Sequence, residues 1–443
     1  MQQSKLQIAR IVLRQELRGL SGSSALWGML TVLSLLLGYS FMQAVNLFSQ
    51  ASQTALTYPA LAGGMNPLEG IFVPTFGAYY LVETLLLPFV IIRLTGRDKQ
   101  NGTLKLLLQL PLSPVTLNFI KLAAMAGVWL LILLPGISTL IVWRTLGGTI
   151  YLPEILCLLL GHTLYTLLII SIAMFATAIS DSLPTAAMIC LAATLGSWVL
   201  DFAAGSGGGL GLLGSWSFTT RLRQFENGLL STNSIVYFSG LALLFFISAS
   251  IWIHPGRSLF HKLKSLSCTV VILLIVVSGI MLAPKYLDVT ESHKHSFNPA
   301  DTRALQEMKK PLKITIHLTR EDGRFYDFKH EILAKLRRVV PHMQVVFSKT
   351  QSAGLFGAAE DENYGLIEYD YDGRHEQSYS NSTQEILPLL HALAGHKVKP
   401  DKLPDYTGHP LVTDADIYQW WFYLVLPLAF LFAAGKPSPG SDN

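Results

Sequence analysis

Ionisable and phenolic side chains interrupt the apolar runs of this sequence, and they are its first candidates for chemistry. Glu83 stands within the run 70–93, one turn after Tyr79 and Tyr80, and His162 stands in another run. A charge at the bilayer centre costs about 2.5–3.5 kcal/mol on insertion scales, so Glu83 should face protein or water. Either these residues line a translocation path, or they form hydrogen bonds that pack helices together.

Motifs of the commonest hydrolases are missing from the sequence. It contains no Gly-x-x-x-x-Gly-Lys-Ser/Thr phosphate loop, so an ATPase of that type would have to be a separate subunit. It also contains no His-Glu-x-x-His and no Gly-x-Ser-x-Gly sequence. The three cysteines lie in apolar runs and form no metal-type cluster. We therefore expect no catalytic residue, no metal site and no cofactor in this chain.

Charge is distributed unevenly along the chain. Of the 443 residues, 51% are hydrophobic and 14% are charged, against roughly 25% charged in an ordinary soluble domain. The stretch 287–414 holds 16 of the 33 basic and 19 of the 29 acidic side chains. This stretch predicts a soluble domain. The remainder has an excess of basic residues, which the positive-inside rule explains for a membrane protein, and it carries no nucleic-acid signal.

Eight runs are long and apolar enough to span a bilayer, which requires about 20 residues. They predict a polytopic α-helical membrane protein. Residues 1–22 precede them, with Arg10, Arg14 and Arg18 opposite a row of leucines, and predict a helix in the cytoplasmic interface. A plain basic extension is the alternative. The predicted spans are residues 24–45, 70–93, 119–143, 153–178, 184–202, 234–254, 267–285 and 416–434.

Lysine and arginine are unequally divided between the two sets of loops. The positive-inside rule then predicts cytoplasmic termini, including the tail 436–443, and an extracytoplasmic domain at 287–414. The expected location is the inner membrane of a bacterium, with this domain in the periplasm. The predicted cytoplasmic set is Lys5, Arg10, Arg14, Arg18, Arg93, Arg97, Lys99, Lys105, Lys121, Arg257, Lys262, Lys264 and Lys436, and the opposite set is Arg144, Arg221, Arg223 and Lys285.

The soluble stretch shows the periodicity of an α/β domain. Asp372-Gly373 is a two-residue hairpin signal between two alternating segments. The predicted order is β-α-β-β-β-α, which resembles the core of a thioredoxin-like fold without its Cys-x-x-Cys. Thr383 is expected to cap the last helix, and the loop 203–233 opens with a flexible Gly205–Gly209 segment. The predicted elements cover residues 312–318, 325–340, 343–347, 364–371, 374–379 and 383–396.

The loop after the second predicted span carries the most specific pattern. Residues 97–114 read RDKQNGTLKLLLQLPLSP. This resembles the cytoplasmic loop of ABC-2-type permeases in Gly102-Thr103-Leu104, in Pro111-Leu112-Ser113 and in the later Lys121. Gln100 departs from the pattern, because the family often has Glu there. The resemblance implies a six-helix permease domain over 23–255, followed by a linker with a seventh span (256–286) and an eighth span (415–435).

The same resemblance implies that this loop docks on an ATPase. Gly102 and Thr103 are expected to begin a short helix, its leucines to pack against the partner, and Pro111 to stop it. An interfacial helix without a partner is the alternative. The implied coupling residues are Gly102, Thr103, Leu104, Leu106, Leu107, Leu108 and Pro111.

A second resemblance covers the soluble stretch. Three of its segments are similar to the outer domain of Gld-type (gliding-motility) ABC transporter subunits. The resemblance implies an auxiliary transporter domain and does not imply gliding. The segments are Asp288-Val289-Thr290, Asp301-Thr302-Arg303-Ala304-Leu305 and Pro311-Leu312-Lys313-Ile314-Thr315-Ile316.

Together these observations predict the permease subunit of an ATP-driven exporter. Two copies of an ABC ATPase subunit would bind ATP and Mg²⁺, and a second permease copy or a homologous permease would complete a dimer in the lipid membrane. The domain 287–414 would meet a periplasmic partner. The alternative is a membrane assembly or anchoring complex that does not transport. A membrane enzyme is disfavoured because the sequence brings no catalytic set together.

Overall fold

A computed structural model describes residues 2–203, 214, 216–281, 285–319, 322–348, 363–395 and 406–434. The Gly205–Gly209 segment and the tail 436–443, with Lys436, lie outside these residues. The chain divides into a membrane unit (residues 1–289 and 407–443) and an α/β unit (Thr290–Tyr406).

Among the described residues, eight helical spans are long and apolar enough to cross a membrane, as expected for a polytopic helical membrane protein. The seventh span was expected to start at residue 267, because the hydropathy pattern leaves Lys262 and Lys264 outside it. Its helix begins at Leu259 and includes both lysines. The spans are Ser24–Thr57, Leu68–Gln100, Pro114–Thr145, Leu152–Ile179, Leu183–Asp201, Thr232–Ile253, Leu259–Ile280 and Asp416–Ala434.

The second span is broken at Leu86, because Pro88 cannot donate the backbone hydrogen bond that would continue the helix. Before Val73 it begins with a π-helical turn, Leu68–Phe72, which follows a 3-10 segment at Pro59–Gly64. The helices up to the α/β unit are α1 (Gln2–Ser21), α2 (Ser24–Thr57), α3 (Val73–Leu85), α4 (Leu87–Gln100), α5 (Thr103–Leu107), α6 (Pro114–Thr145), α7 (Leu152–Ile179), α8 (Leu183–Ala203), α9 (Phe218–Glu226), α10 (Thr232–Ile253) and α11 (Leu259–Met281).

The core of the membrane unit is formed by side chains of α2, α3, α6 and α7. Phe41, Phe76, Trp143 and Tyr165 are among its fully buried members. Buried residues recur along one side of α1 as well, where Val12, Leu20 and the half-buried Glu16 face α6. Residues 4–20 are therefore helical as predicted, and one side of the helix packs on protein.

The region between α8 and α10 contains more structure than the predicted loop. Helix α9 is capped by Ser217, whose hydroxyl accepts the Thr220 N–H. Strand β1 (Leu229–Ser231) then pairs antiparallel with β2 (Tyr286–Asp288). Because this ribbon joins the start of α10 to the end of α11, residues 287–289 belong to the membrane unit and not to the soluble domain as predicted.

Residues 407–414 also pack on the membrane unit. Gly408 has φ +69 and lies so close to Ala62 that a Cβ would be 1.7 Å from the Ala62 carbonyl oxygen. Further on, the Leu411 N–H donates to the Ser52 hydroxyl at 3.0 Å. The chain reaches its last span through these contacts, which the predicted boundary at residue 414 does not include.

The α/β unit has one four-stranded sheet with the order β4-β3-β5-β6. Strands β3 and β4 are parallel, and the other neighbours are antiparallel. Leu312, Ile314 and Ile316 are buried against the helices of the unit, in the alternation that the sequence predicts. The elements are α12 (Pro299–Gln306), β3 (Leu312–Ile316), α13 (Gly323–Phe328), a π-helical turn (Lys329–Leu333), α14 (Ala334–Val339), β4 (Met343–Phe347), β5 (Ile367–Tyr371), β6 (Arg374–Ser378) and α15 (Thr383–Ala394).

Two local predictions in this unit have different outcomes. Asp372 and Gly373 join β5 to β6 with φ values of +53 and +77, as a tight hairpin requires. The cap of α15 was predicted at Thr383, but it is Ser382, whose hydroxyl accepts the Gln384 N–H at 3.3 Å. The last span follows as a 3-10 turn (Asp416–Tyr418), a π-helical turn (Trp421–Val425) and α16 (Leu426–Ala434).

Candidate functional site

Helix α5 is the short leucine-rich element in the 97–114 loop. Gly102 precedes it with φ +75, a left-handed conformation that glycine adopts without strain. The helix ends at Leu107, so Pro111 does not stop it as predicted, because the chain has already turned. Ser113 then caps α6 by accepting the Thr116 N–H at 3.1 Å.

None of the residues of α5 is buried within this chain. Leu106 is 65% exposed, and Leu104, Leu107 and Leu108 are half-buried. Leu106 is thus the exposed leucine of α5, next to the exposed Lys105. The predicted coupling residues are thus together on one accessible element, with Pro111 in the turn that follows.

Lys121 connects this loop to the rest of the bundle. Its ammonium donates to Glu16 of α1 at 2.9 Å and also to Asp98 of α4. We call Lys121, Glu16 and Asp98 the basic-end cluster. Only 7% of the Lys121 side chain is exposed, and removing it would leave two partly exposed carboxylates next to each other without a cation.

Lys99 anchors the end of α4 to the end of α7. Its ammonium donates to the backbone oxygens of Ala178 at 3.2 Å and Ser180 at 2.5 Å. It also lies 3.2 Å from the fully exposed carboxylate of Asp181. A cation at the last carbonyls of a helix complements the partial negative charge there. The residues immediately before α5 are therefore fixed to α1, α6 and α7.

A cleft of about 250 Å³ opens beside α5. Leu104, Lys121 and Lys99 line one part of it, and Trp252 and Lys262 line another. The ends of α4, α7 and α10 and the starts of α6 and α11 thus meet at α5, at what we call the basic end of the bundle.

A second polar group lies in the interior of the membrane unit. Glu83 Oε2 is 3.1 Å from His162 Nδ1, and His162 Nε2 is 3.3 Å from an oxygen of Glu226. Side-chain exposure is 0% for Glu83 and for His162, and 10% for Glu226. We call these three residues the core triad. Thr166 donates its hydroxyl to the other Glu83 oxygen at 3.1 Å.

The two contacts of the His162 ring are not equivalent. The Nδ1 contact has the geometry of a hydrogen bond. The Nε2 contact is as close as an ion pair but does not have that geometry, so Nε2 has no hydrogen-bond partner among the described residues. We therefore treat the Glu226 contact as electrostatic. The two carboxylates lie at opposite edges of the ring, so they do not converge on one metal position.

Tyr79 has a packing role that its sequence neighbourhood does not indicate. Its hydroxyl donates to the Ile132 carbonyl at 2.6 Å and accepts the Gly136 N–H at 2.8 Å. In a regular helix these two backbone groups bond to each other, but Pro135 interrupts α6 at this point. The Tyr79 hydroxyl is inserted between them and satisfies both.

Tyr80 completes the set of predicted path residues. Its hydroxyl is 2.6 Å from the hydroxyl of Thr219 on α9. One turn further along α3, the Thr84 hydroxyl is 2.8 Å from that of Tyr165 on α7. The structure thus brings Glu83, Tyr79, Tyr80 and His162 to neighbouring positions among helices of one chain.

Glu226 was missed by the sequence analysis because it stands at the end of α9, in a region interpreted as a loop. Phe218, Leu222 and Phe225 are buried at helical spacing after the Ser217 cap, and that pattern could have revealed the helix. The close approach of α9 to α7 depends on Gly161, where a Cβ would lie 2.4 Å from the Phe225 Cβ.

Comparison with known proteins adds no assignment to this geometry. No protein-family model matches the chain, and no curated protein and no solved structure matches it.

Proposed function

We propose that this chain is the membrane-spanning subunit of an ATP-driven ABC-2-type transporter, moved by a separate ATPase that docks on α5. The observation that carries the proposal is the exposure of Leu106 on a short apolar helix next to anchored residues. Burial of such a leucine contributes about 1.5–3 kcal/mol, which is enough to matter for docking. The residue pattern of 97–114 supports the choice of an ABC ATPase as the partner.

In this account, force enters at α5 and leaves through side chains already in contact. Asp98 transmits displacement through Lys121 to α6 and through it to Glu16 of α1. Lys99 transmits it to the end of α7. A dimer of permease chains over two ATPase subunits, each binding ATP and Mg²⁺, would then change the access of its helices, and the family resemblance favours export.

The orientation in this proposal follows the positive-inside rule. The basic end would be cytoplasmic, with the N-terminus and the 436–443 tail, in a bacterial inner membrane. The α/β unit would lie in the periplasm and receive or release substrate as a Gld-type auxiliary domain. After α12, the described elements of this unit follow one another as strand, helical segment, three strands and helix, which supports the thioredoxin-like part of the proposal.

The test uses the full chain together with a phosphate-loop ATPase encoded beside it. We expect the two to co-purify and Leu106→Ala to weaken their association by about tenfold or more, since 1.4 kcal/mol corresponds to a factor of ten. Leu56→Ala is the matched control, because Leu56 is similarly exposed, at 60%, and lies in the last turn of α2, at the opposite end of that span from α1. Association that is unaffected by Leu106→Ala would overturn docking on α5.

Flux in liposomes then separates transport from the assembly or anchoring alternative. A transporter requires ATP turnover that rises with substrate and is accompanied by movement of that substrate across the bilayer. ATP turnover that responds to a periplasmic partner and moves no solute supports the assembly complex instead.

A further inference from the structure

We propose that the core triad is a proton-binding site, in which Glu226, at the C-terminal end of α9, exchanges a proton with water. The proposal concerns residues distant in sequence from α5 and does not depend on an ATPase. Its first basis is the position of both carboxylates against one imidazole, at 3.1 and 3.3 Å.

Hydrogen-bonding capacity sets the minimum number of protons. A neutral imidazole has one N–H, so it can donate to only one of the two carboxylates, and its other nitrogen would face the second as an acceptor facing an acceptor. A stable arrangement needs a proton in each of the two contacts. With only these two protons present, the triad carries a net charge of −1, whether it holds one imidazolium and two carboxylates or one neutral imidazole, one carboxylate and one carboxylic acid.

A net charge is costly in the interior of a membrane protein. Glu83 and His162 are completely buried, so water cannot compensate for it. Uptake of one further proton, by a carboxylate, brings the triad to zero charge. The buried arrangement therefore favours one imidazolium, one carboxylate and one carboxylic acid.

The surroundings indicate which carboxyl group takes the additional proton. Glu83 accepts two hydrogen bonds, from His162 and from Thr166, and both stabilise its ionised form. Glu226 has the weaker contact to the ring and stands at the C-terminal end of α9, where the helix dipole disfavours a negative charge. Glu226 is thus the carboxylic acid, and Glu83 is the carboxylate.

Access to water also distinguishes the two. Glu226 is the only member of the triad with any exposed side chain, at 10%. In the exchange step its O–H bond breaks, the proton passes to a water molecule, and the electron pair remains on the carboxylate oxygen.

Other ionisable groups on the surrounding helices have contacts of their own. Arg223 on α9 lies 3.5 Å from Asp201 of α8, and Arg221 lies 5.6 Å from the centre of the Tyr237 ring on α10. On α3 and α7, the nearest are Tyr79, Tyr80 and Tyr165, whose hydroxyls form the hydrogen bonds described above, together with Glu154, which is buried at the start of α7.

Infrared spectroscopy of the purified full chain in lipid nanodiscs tests the proposal. We expect a protonated-carboxyl C=O band near neutral pH that shifts in heavy water and is lost in Glu226→Gln. Glu16→Gln is the control, because Glu16 pairs with Lys121 and should not contribute to that band. Glu226→Gln has the charge of the protonated acid, so it should fold, and retained thermal unfolding checks that it does.

Two results would overturn the proposal. One is a carboxyl band that persists unchanged in Glu226→Gln, or that is absent from the folded native chain throughout the neutral range. The other is a band that disappears when sodium or potassium ions are added at constant pH, because that would make the triad a site for a metal cation and not for a proton.

Discussion

The basic-end cluster and the core triad have the same composition in different surroundings. Each places two carboxylates around one nitrogen base, Lys121 in the first and His162 in the second. In the basic-end cluster the carboxylate side chains are 16% and 22% exposed, whereas in the core triad they are 0% exposed for Glu83 and 10% for Glu226. Water can therefore solvate the excess negative charge of the first cluster better than that of the second. In our proposal a proton neutralises the charge of the second cluster, and this difference separates a mechanical connection from a site that exchanges protons.

Lys121→Met gives the largest expected effect, because it removes the only cation of the basic-end cluster. Breaking a buried ion pair on one side costs about 3–5 kcal/mol, and the partial exposure of Glu16 and Asp98 places the expectation at about 3 kcal/mol. Unfolding of the detergent-solubilised chain measures it. Lys105→Met, at an exposed position on α5, should change little, and equal losses in both variants would contradict the assignment.

Gly161→Ala tests whether the core triad depends on the close approach of α9. The added Cβ would meet Phe225 at 2.4 Å, so α9 must move outward, at a cost of about 1–3 kcal/mol. We also expect the carboxyl band of Glu226 to weaken as water enters. Gly196→Ala is the control, because nothing lies within 4 Å of a Cβ there. A stable variant with an unchanged band would show that the approach is not required.

Tyr79→Phe separates helix packing from a path role. Loss of the hydroxyl leaves the Ile132 carbonyl and the Gly136 N–H buried beside Pro135 without their bridge, which costs about 1–3 kcal/mol. The prediction is lower thermal stability with little change in substrate selectivity once transport is measured. Tyr39→Phe, at a 58% exposed position, serves as the reference. Altered selectivity at unchanged stability would instead favour a path-lining residue.

The smallest effect is expected in the α/β unit, where the side chains of an ion pair are 50% and 38% exposed, for His375 and Asp370. A hydrogen bond with Asp370, at 2.7 Å, raises the pKa of His375 above its ordinary 6.5. Its small stabilisation is therefore present below pH 6.5 and is lost as the pH rises through the folded-state value. An NMR titration of His375 in the native chain and in Asp370→Asn measures the shift, and identical titrations would refute the coupling.

The sequence predicts the features whose signals are local. The apolar runs indicate all eight spans, and Gly102 followed by leucines indicates α5. The short turns are similarly local, since Asp372-Gly373 forms the hairpin that its residue types predict.

The features that depend on distant residues could not be predicted in this way. His162 meets Glu83 and Glu226 only after three separate helices pack, and Gly161 has no sequence pattern that marks it as the point of close approach. The insertion of the Tyr79 hydroxyl into α6 likewise requires knowing that Ile132 and Gly136 face α3. Periodicity finds the face of a helix but not its partner.

Docking of an ATPase on α5 is the central claim, and site-specific photo-crosslinking from position 106 in native membranes tests it most directly. The account predicts a crosslink to a phosphate-loop ATPase that is lost when the crosslinker is moved to position 56, a similarly exposed leucine in the last turn of α2. Crosslinks to lipid alone, or an ATPase captured equally from both positions, would contradict it.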